Sequence, residues 1–246
     1  MRVVVALGGN ALSPDRNTGS ATGSADEMRT TLASACDQLA ELVARGVTLV
    51  LTHGNGPQVG RILLQQEAAA PDVPPMPMDV CGAESQGQIG YLIAQALDNA
   101  LRARDLPQRV FALITQVIVA GRDPAFRRPT KPVGPVYDDA TAQAIAATSG
   151  HVFLRIGENR WRRVVASPRP IGFVEEGPIS LVVDGGNVLV AAGGGGVPVV
   201  SDTRRDGSGG RAFRGVEAVV DKDRTAALLA ELVKADALVI LTEVAR

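Results

Sequence analysis

The chain carries 25 lysines and arginines, of which only Lys131, Lys222 and Lys234 are lysine. Two of these sit in segments suited to chemistry. Lys131 lies in Pro129-Thr-Lys-Pro-Val-Gly-Pro135, a rigid stretch, and Lys222 lies in Val219-Val-Asp-Lys-Asp223, at a predicted strand-to-helix junction. A compact ammonium can meet a transferring phosphoryl group as a point charge, which a planar guanidinium does not. Lys234 closes a predicted helix, where complementing the helix dipole is a sufficient role. The 27 glycines are clustered: Gly8-Gly9-Asn10, His53-Gly54-Asn55-Gly56-Pro57 and Gly193 to Gly196 each follow an apolar run that reads as a strand. In a parallel α/β sheet such loops share the carboxyl edge, where ligands bind. Glycine allows close backbone approach, so successive N–H groups can face phosphate oxygens, aided by helix N-termini. One such turn is more readily structural; three on one edge point to a site for several phosphates. Neither G-x-x-x-x-G-K-[ST] nor G-x-G-x-x-G occurs, so the phosphate site is of neither the P-loop nor the standard dinucleotide kind.

The elements that must position these groups alternate. Strands are predicted at Arg2 to Leu7, Val47 to Thr52, Arg109 to Val119, Val188 to Ala192, Val216 to Val220 and Ala237 to Thr242. Between the first two, Met28, Leu32, Ala35, Cys36, Leu39, Leu42 and Val43 follow helical spacing, with Ser24 and Glu27 as a capping box and Gly46 as the stop. Further helices are predicted from about Glu84 to Arg104 and from Asp223 to Lys234, with Asp223 favoured over Asp221 as the N-cap of the latter. This pattern predicts an α/β fold, a three-layer sandwich around a mostly parallel sheet. With 246 residues it is one large domain, residues 1–246, carrying an insertion.

That insertion is residues 122–177, rich in proline and arginine, with a hairpin predicted from His151 to Ile156 and Trp161 to Ala166. From Arg122 to Arg169 it holds nine cations against four acids, whereas the whole chain has a net charge of −1. A cationic lobe on an acidic body can steer a small anion to the seam between them. The balance argues against a general binder of nucleic acid or of membrane surfaces, and no apolar run approaches a membrane span. Cys36 and Cys81 have no C-x-x-C neighbour or nearby histidine and read as reduced thiols; a cytoplasmic protein is expected. With two histidines, a histidine metal site is not expected. His53 reads as a turn residue bonded to backbone, and Trp161 as packing the hairpin. Asn10 could alternatively cap a following helix.

Six stretches carry a specific resemblance: Val4 to Leu12, His53 to Gly60, Gln86-Gly-Gln-Ile-Gly-Tyr91, Pro129 to Pro135, Gly193-Gly-Gly-Gly-Val-Pro-Val-Val200 and Gly215 to Asp223. In order along the chain they resemble the carbamate kinases of the amino-acid-kinase superfamily. The resemblance implies the amino-acid-kinase fold with a basic protruding subdomain, a homodimer, and reversible phosphoryl transfer between ATP and carbamate, giving carbamoyl phosphate and ADP. Many such enzymes work towards ATP in arginine fermentation. It further implies that Gly8, Gly9 and Asn10 hold the transferring group, that Gly54, Asn55 and Gly56 receive carbamate, and that Lys131 and Lys222 approach the phosphoryl group from the lobe and the nucleotide side. Asp221 would orient the lysines. Gly193, Gly194, Gly195, Gly196, Asp223 and Thr242 would lie on the ATP side, with Mg²⁺ bridging phosphates.

Members of that family continue several dozen residues beyond the point matching Arg246. The resemblance therefore also implies a C-terminally incomplete domain lacking adenine contacts, with an uncovered terminal strand and impaired ATP use. Two other functions stay open on this reading. One is a weak or inactive protein binding carbamoyl phosphate or another anion; the other is a different amino-acid kinase.

Overall fold

The computed structural model describes residues 1–8, 24–203 and 211–241. Gly9, Asn10 and Thr242 lie outside the described residues. Five strands, β1 (Arg2–Leu7), β2 (Thr48–His53), β3 (Val110–Ala112), β9 (Val188–Val190) and β12 (Ala237–Leu241), pair all-parallel in the order β12-β1-β2-β9-β3. Alternate residues of a strand face opposite sides, and in β1, β2 and β9 both sides are covered, whereas the edge strands β3 and β12 are partly exposed. Val3, Val5, Leu7, Leu49, Leu51, Val188 and Val190 enter one core with α1 (Ala25–Ala44) and α3 (Met78–Arg102). Val4, Val50 and Leu189 enter a second core with α5 (Glu176–Asp184), α6 (Lys222–Leu232) and another sheet. Burial on both faces is why these strands read as continuous valine and leucine. The α/β sandwich around a parallel central sheet is as expected.

The second sheet runs β11 (Arg211–Gly215), β10 (Val197–Thr203), β4 (Gln116–Val119), β8 (Pro170–Phe173). A third, antiparallel sheet is built by β5 (Lys131–Tyr137), β7 (Arg160–Val165) and β6 (Val152–Gly157), with α4 (Asp139–Ser149) between β5 and β6 in sequence. This is the basic lobe. Its root is apolar: Val133 and Val165 pack with Val59, Ile62 and Leu63 of α2 (Gly56–Ala69) and with Met78 and Cys81 of α3. Tyr137 donates to Glu67 on α2 and meets Phe153 edge-on, with 5.5 Å between ring centroids. Trp161 donates its indole N–H to Asp139 within the lobe.

Several elements differ from expectation. The run Arg109 to Val119 is not one strand but β3 and β4, in different sheets. The turn between them is held by Gln86, which accepts from the Thr115 N–H at 2.9 Å and donates to its carbonyl at 3.2 Å. Val216 to Val220 is not a strand; Ala218 forms a single parallel bridge with Ala166. Helix α3 starts earlier, at Met78, so Cys81 is helical, and α2, α4 and α5 have no counterpart among the predicted helices. Helix α1 has the expected capping box, but Leu42 is 37% exposed and Ala40 is buried in its place on the inner face. Both thiols are buried, and burial pushes the Cys36 thiol up to about 12. Among the described residues no helix is long and apolar enough to cross a membrane.

Gln86 is 5% exposed and pairs both backbone groups of Thr115. Gln86→Leu keeps bulk but strands them, at about 1–3 kcal/mol for each unsatisfied buried group. Urea unfolding should show a loss in that range; an unchanged midpoint would mean that the sheet-switching turn does not need this clamp.

Candidate functional site

β1, β2 and β9 are neighbours and parallel, so the three glycine turns leave the same sheet edge. A cleft of about 730 Å³ opens there. One wall is the β2–α2 turn with Gly54, Asn55 and Gly56; the other is the segment Val219 to Asp223 leading into α6. The lobe closes the top with Lys131 to Pro135 and Arg162, and Gly194 lies at the base.

The two helix N-termini at this cleft are treated differently. The helix α6 is capped by Asp221, whose carboxylate accepts from the Asp223 N–H at 3.0 Å and the Arg224 N–H at 3.4 Å. Its other oxygen accepts from Lys131 Nζ at 3.2 Å, joining lobe to body. The N-cap is thus Asp221 and not the favoured Asp223, which instead accepts from Lys222 Nζ at 2.6 Å. In contrast, α2 has no side-chain cap. Its N-cap residue, Asn55, turns away and donates to Ser85 Oγ at 2.7 Å, and Ser85 donates to the Gly82 carbonyl at 2.6 Å. An uncapped helix start beside an ammonium is a place for an anion.

The four-glycine turn joins the two walls. At Gly194, with φ +66°, a Cβ would lie 2.1 Å from the Asn55 amide nitrogen, and at Gly195, with φ +93°, 2.3 Å from the Val220 carbonyl oxygen. Any side chain here would push Asn55 or the α6 approach out of place. Gly193 and Gly195 are buried, and of the four only Gly194 lines the cleft. Gly8 is not part of the lining; its N–H donates to the Leu241 carbonyl at 3.0 Å, as the Gly54 N–H does to Leu7 at 2.9 Å.

Burial by itself pushes the Asp221 carboxyl up, but the Lys131 hydrogen bond and charge, with the two helix N–H groups, outweigh it and hold it below the ordinary carboxylate range. The pair with Lys131 therefore persists at neutral pH and is lost only as pH falls through that depressed value. His53 is 2% exposed; burial lowers it to about 4 against the opposing effect of its bond to the Gly54 carbonyl. It is neutral at pH 7, with Nδ1–H donating to that carbonyl at 3.0 Å.

Lys131, Asp221, Lys222, Asp223, Gly54, Asn55, Gly56 and Gly194 are thus brought to one cleft, and Lys234 is not. Two lining residues, Arg61 and Arg162, were not singled out by the sequence, where nothing local separates them from the other arginines. Arg162 donates to the Gly134 carbonyl at 3.0 Å, stiffening the turn after Lys131. The amide of Gln58, at the start of α2, is buried with no partner. Among the described residues no cluster of His, Cys, Asp and Glu could hold a metal ion by itself. The donor set fits phosphate oxygens, and a divalent ion would be carried largely on those oxygens.

The unfolded chain protonates His53 near pH 6.5, whereas the folded chain resists until about 4. Stability therefore falls between these values. The stability advantage of wild type over His53→Gln should narrow as pH drops from 7 to 4; a pH-independent difference would contradict burial of a neutral imidazole.

The amino acid kinase family model matches residues 1–246. The carbamate kinase of Pyrococcus horikoshii is 49% identical over 245 residues, spanning 99% of this chain and 74% of that protein. A solved structure from Aeropyrum pernix superposes with a TM-score of 0.91 at 39% identity, covering 99% of this chain and 75% of that one. The carbamate kinase of Giardia lamblia bound to AMP-PNP superposes with a TM-score of 0.85 at 40% identity, covering 99% and 74%. The open α2 terminus, the lysines around it and these likenesses lead to one conclusion: the chain belongs to the amino acid kinase family, as a phosphotransferase of the carbamate kinase type.

Proposed function

We propose that the chain catalyses reversible phosphoryl transfer between ATP and carbamate, giving carbamoyl phosphate and ADP. The observation that carries this reading is Lys131: it comes from the basic lobe, yet its ammonium reaches Asp221 at the mouth of α6, in the cleft that the uncapped start of α2 also lines. In the ATP-forming direction a β-phosphate oxygen of ADP attacks phosphorus, the bond from phosphorus to the carbamate oxygen breaks, and carbamate leaves. No protein nucleophile is needed, and catalysis is alignment and charge stabilisation.

In this reading Gly54, Asn55 and Gly56 receive carbamate at the α2 terminus; Gly9 and Asn10 hold the transferring group, while Gly8, whose N–H is taken by the Leu241 carbonyl, supports the turn that presents them. Lys131 and Lys222 neutralise it from opposite sides, while Asp221 keeps Lys131 extended into the cleft. Gly194 meets the nucleotide phosphates, the buried glycines beside it shape the turn, and Asp223 and Thr242 are assigned to nucleotide binding. Mg²⁺, when bound, neutralises charge between the phosphates. The lobe of β5, α4, β6 and β7 acts as the protruding subdomain. A cytoplasmic role in arginine breakdown follows from the same reading.

We also assign the chain a homodimer. β3 is an edge strand of the central sheet, and Phe111 and Ile114 on or beside it, with Tyr91 on the adjoining α3, are 47%, 49% and 54% exposed. Gly90 packs close on Ala112, drawing α3 against this edge, and Gly82 and Gly87 on the same helix have open space over them. A second copy can cover this apolar face. Light scattering should give twice the chain mass, and Phe111→Asp should give a monomer; a monomeric wild type would contradict the assignment.

With ADP, carbamoyl phosphate and Mg²⁺, the chain should form ATP. Lys131→Ala and Lys222→Ala should each lower turnover by about 10²–10³-fold, the usual cost of removing one charge-stabilising donor. Near-normal turnover in either variant would remove its assigned role. Calorimetry that finds carbamoyl phosphate bound but MgATP not bound would select an anion-binding protein instead, and turnover of a different acceptor in a substrate panel would select another amino-acid kinase.

A further inference from the structure

The lobe rejoins the body along β7, and its last residues run beside the extended segment 216–220 that feeds α6. Three contacts join them. Ala166 bridges Ala218 in parallel, the Val219 N–H donates to the Ala166 carbonyl at 2.9 Å, and Arg163 Nη2 donates to Glu217 Oε1. Arg163 is 9% exposed, and its side chain pairs with no other carboxylate among the described residues. Its Nε is buried without a partner, so Glu217 alone compensates the charge of this guanidinium. A buried cation with a single ionic partner holds that partner strongly, because separating them leaves a charge stranded out of water.

The register turns this contact into a positioning device. Within the lobe, Val133 lies opposite Arg163 and Lys131 opposite Val165. On the body side, the segment that carries Glu217 continues directly to Asp221, which accepts from Lys131. A closed ring results: Arg163 to Glu217, along the segment to Asp221, across to Lys131, and back through the β5–β7 ladder to Arg163. Neither Arg163 nor Glu217 lines the cleft. They can act on the chemistry only by fixing where the lobe holds Lys131.

We propose that the Arg163–Glu217 pair is a latch that seats the lobe on the segment before α6 and thereby sets the position of Lys131 over the cleft. Both are positioning residues for phosphoryl transfer. The inference rests on the reading above, in which Lys131 meets the phosphoryl group. In-line transfer is sensitive to such placement, since a displacement of about 1 Å can cost about 100-fold in rate.

The test uses Glu217→Gln, on the half-exposed side of the pair, which keeps an acceptor for Arg163, and Arg163→Gln, which removes the cation so that no charge is left stranded, together with Arg163→Lys. Two quantities are read: steady-state formation of ATP from ADP and carbamoyl phosphate, and hydrogen exchange at the Val219 amide. Glu217→Gln and Arg163→Gln should lower kcat by about 10- to 100-fold, leave KM for ADP within about twofold, and speed exchange at Val219. Arg163→Lys, which keeps the charge, should recover part of both. An active wild type whose Glu217→Gln variant exchanges faster at Val219 yet keeps full kcat overturns the latch alone. So does a fall in kcat with Val219 still protected, because the loss would not run through this contact. A wild type that neither turns over nor binds carbamoyl phosphate removes the functional reading itself, and the latch with it.

Discussion

The cleft depends on one ion pair that crosses it. Lys131 belongs to the inserted lobe and Asp221 to the body, and their 3.2 Å contact is the point where the two meet over the sheet edge. Asp221 is already committed to the first turn of α6 through two backbone N–H groups, so its carboxylate is a fixed acceptor. A flexible lysine tied to a fixed acceptor is an ordered charge. Both side chains are 36% exposed, so the pair contributes little as a stabilising contact. Its value lies in where it keeps the ammonium.

The two helix starts give this arrangement its polarity. α6 arrives with its N-terminal charge already satisfied, and α2 arrives with its own unsatisfied because Asn55 is bound to Ser85. In the proposed reaction an incoming anion is directed to the α2 side, where the lobe lysine exchanges one carboxylate for a new anionic partner. The four-glycine turn keeps the two helix starts close enough for this to work, since side chains at Gly194 or Gly195 would occupy the places of Asn55 and Val220. The central sheet serves the same end by bringing β1, β2 and β9 side by side in parallel.

Much of this was legible in the chain itself. Continuous apolar runs marked β1, β2 and β9 because both faces of these strands are buried, and Ser24 with Glu27 marked the start of α1 because the capping box is a local device. What depended on distant partners was not legible. The break between β3 and β4 is imposed by Gln86, 29 residues before Thr115. Asp221 and not Asp223 caps α6, and the two divide the lysines, Lys131 to Asp221 and Lys222 to Asp223, a pairing that for Lys131 depends on the distant lobe. Val216 to Val220 has a strand's composition but serves as the strap on which the lobe is seated. Helix α2 was hidden because Gly54 to Pro57 reads as a turn and the helix begins inside it.

The scarcity of lysine gives the account its most direct test. With only Lys131, Lys222 and Lys234 in the chain, protein labelled in its lysine side chains gives three resolvable ammonium signals by NMR. Addition of carbamoyl phosphate should shift the Lys131 and Lys222 signals and leave Lys234, which lies off the cleft, in place. A titration in which Lys131 and Lys222 do not move, or move no more than Lys234, would contradict the claim that two lysines converge on one phosphoryl group.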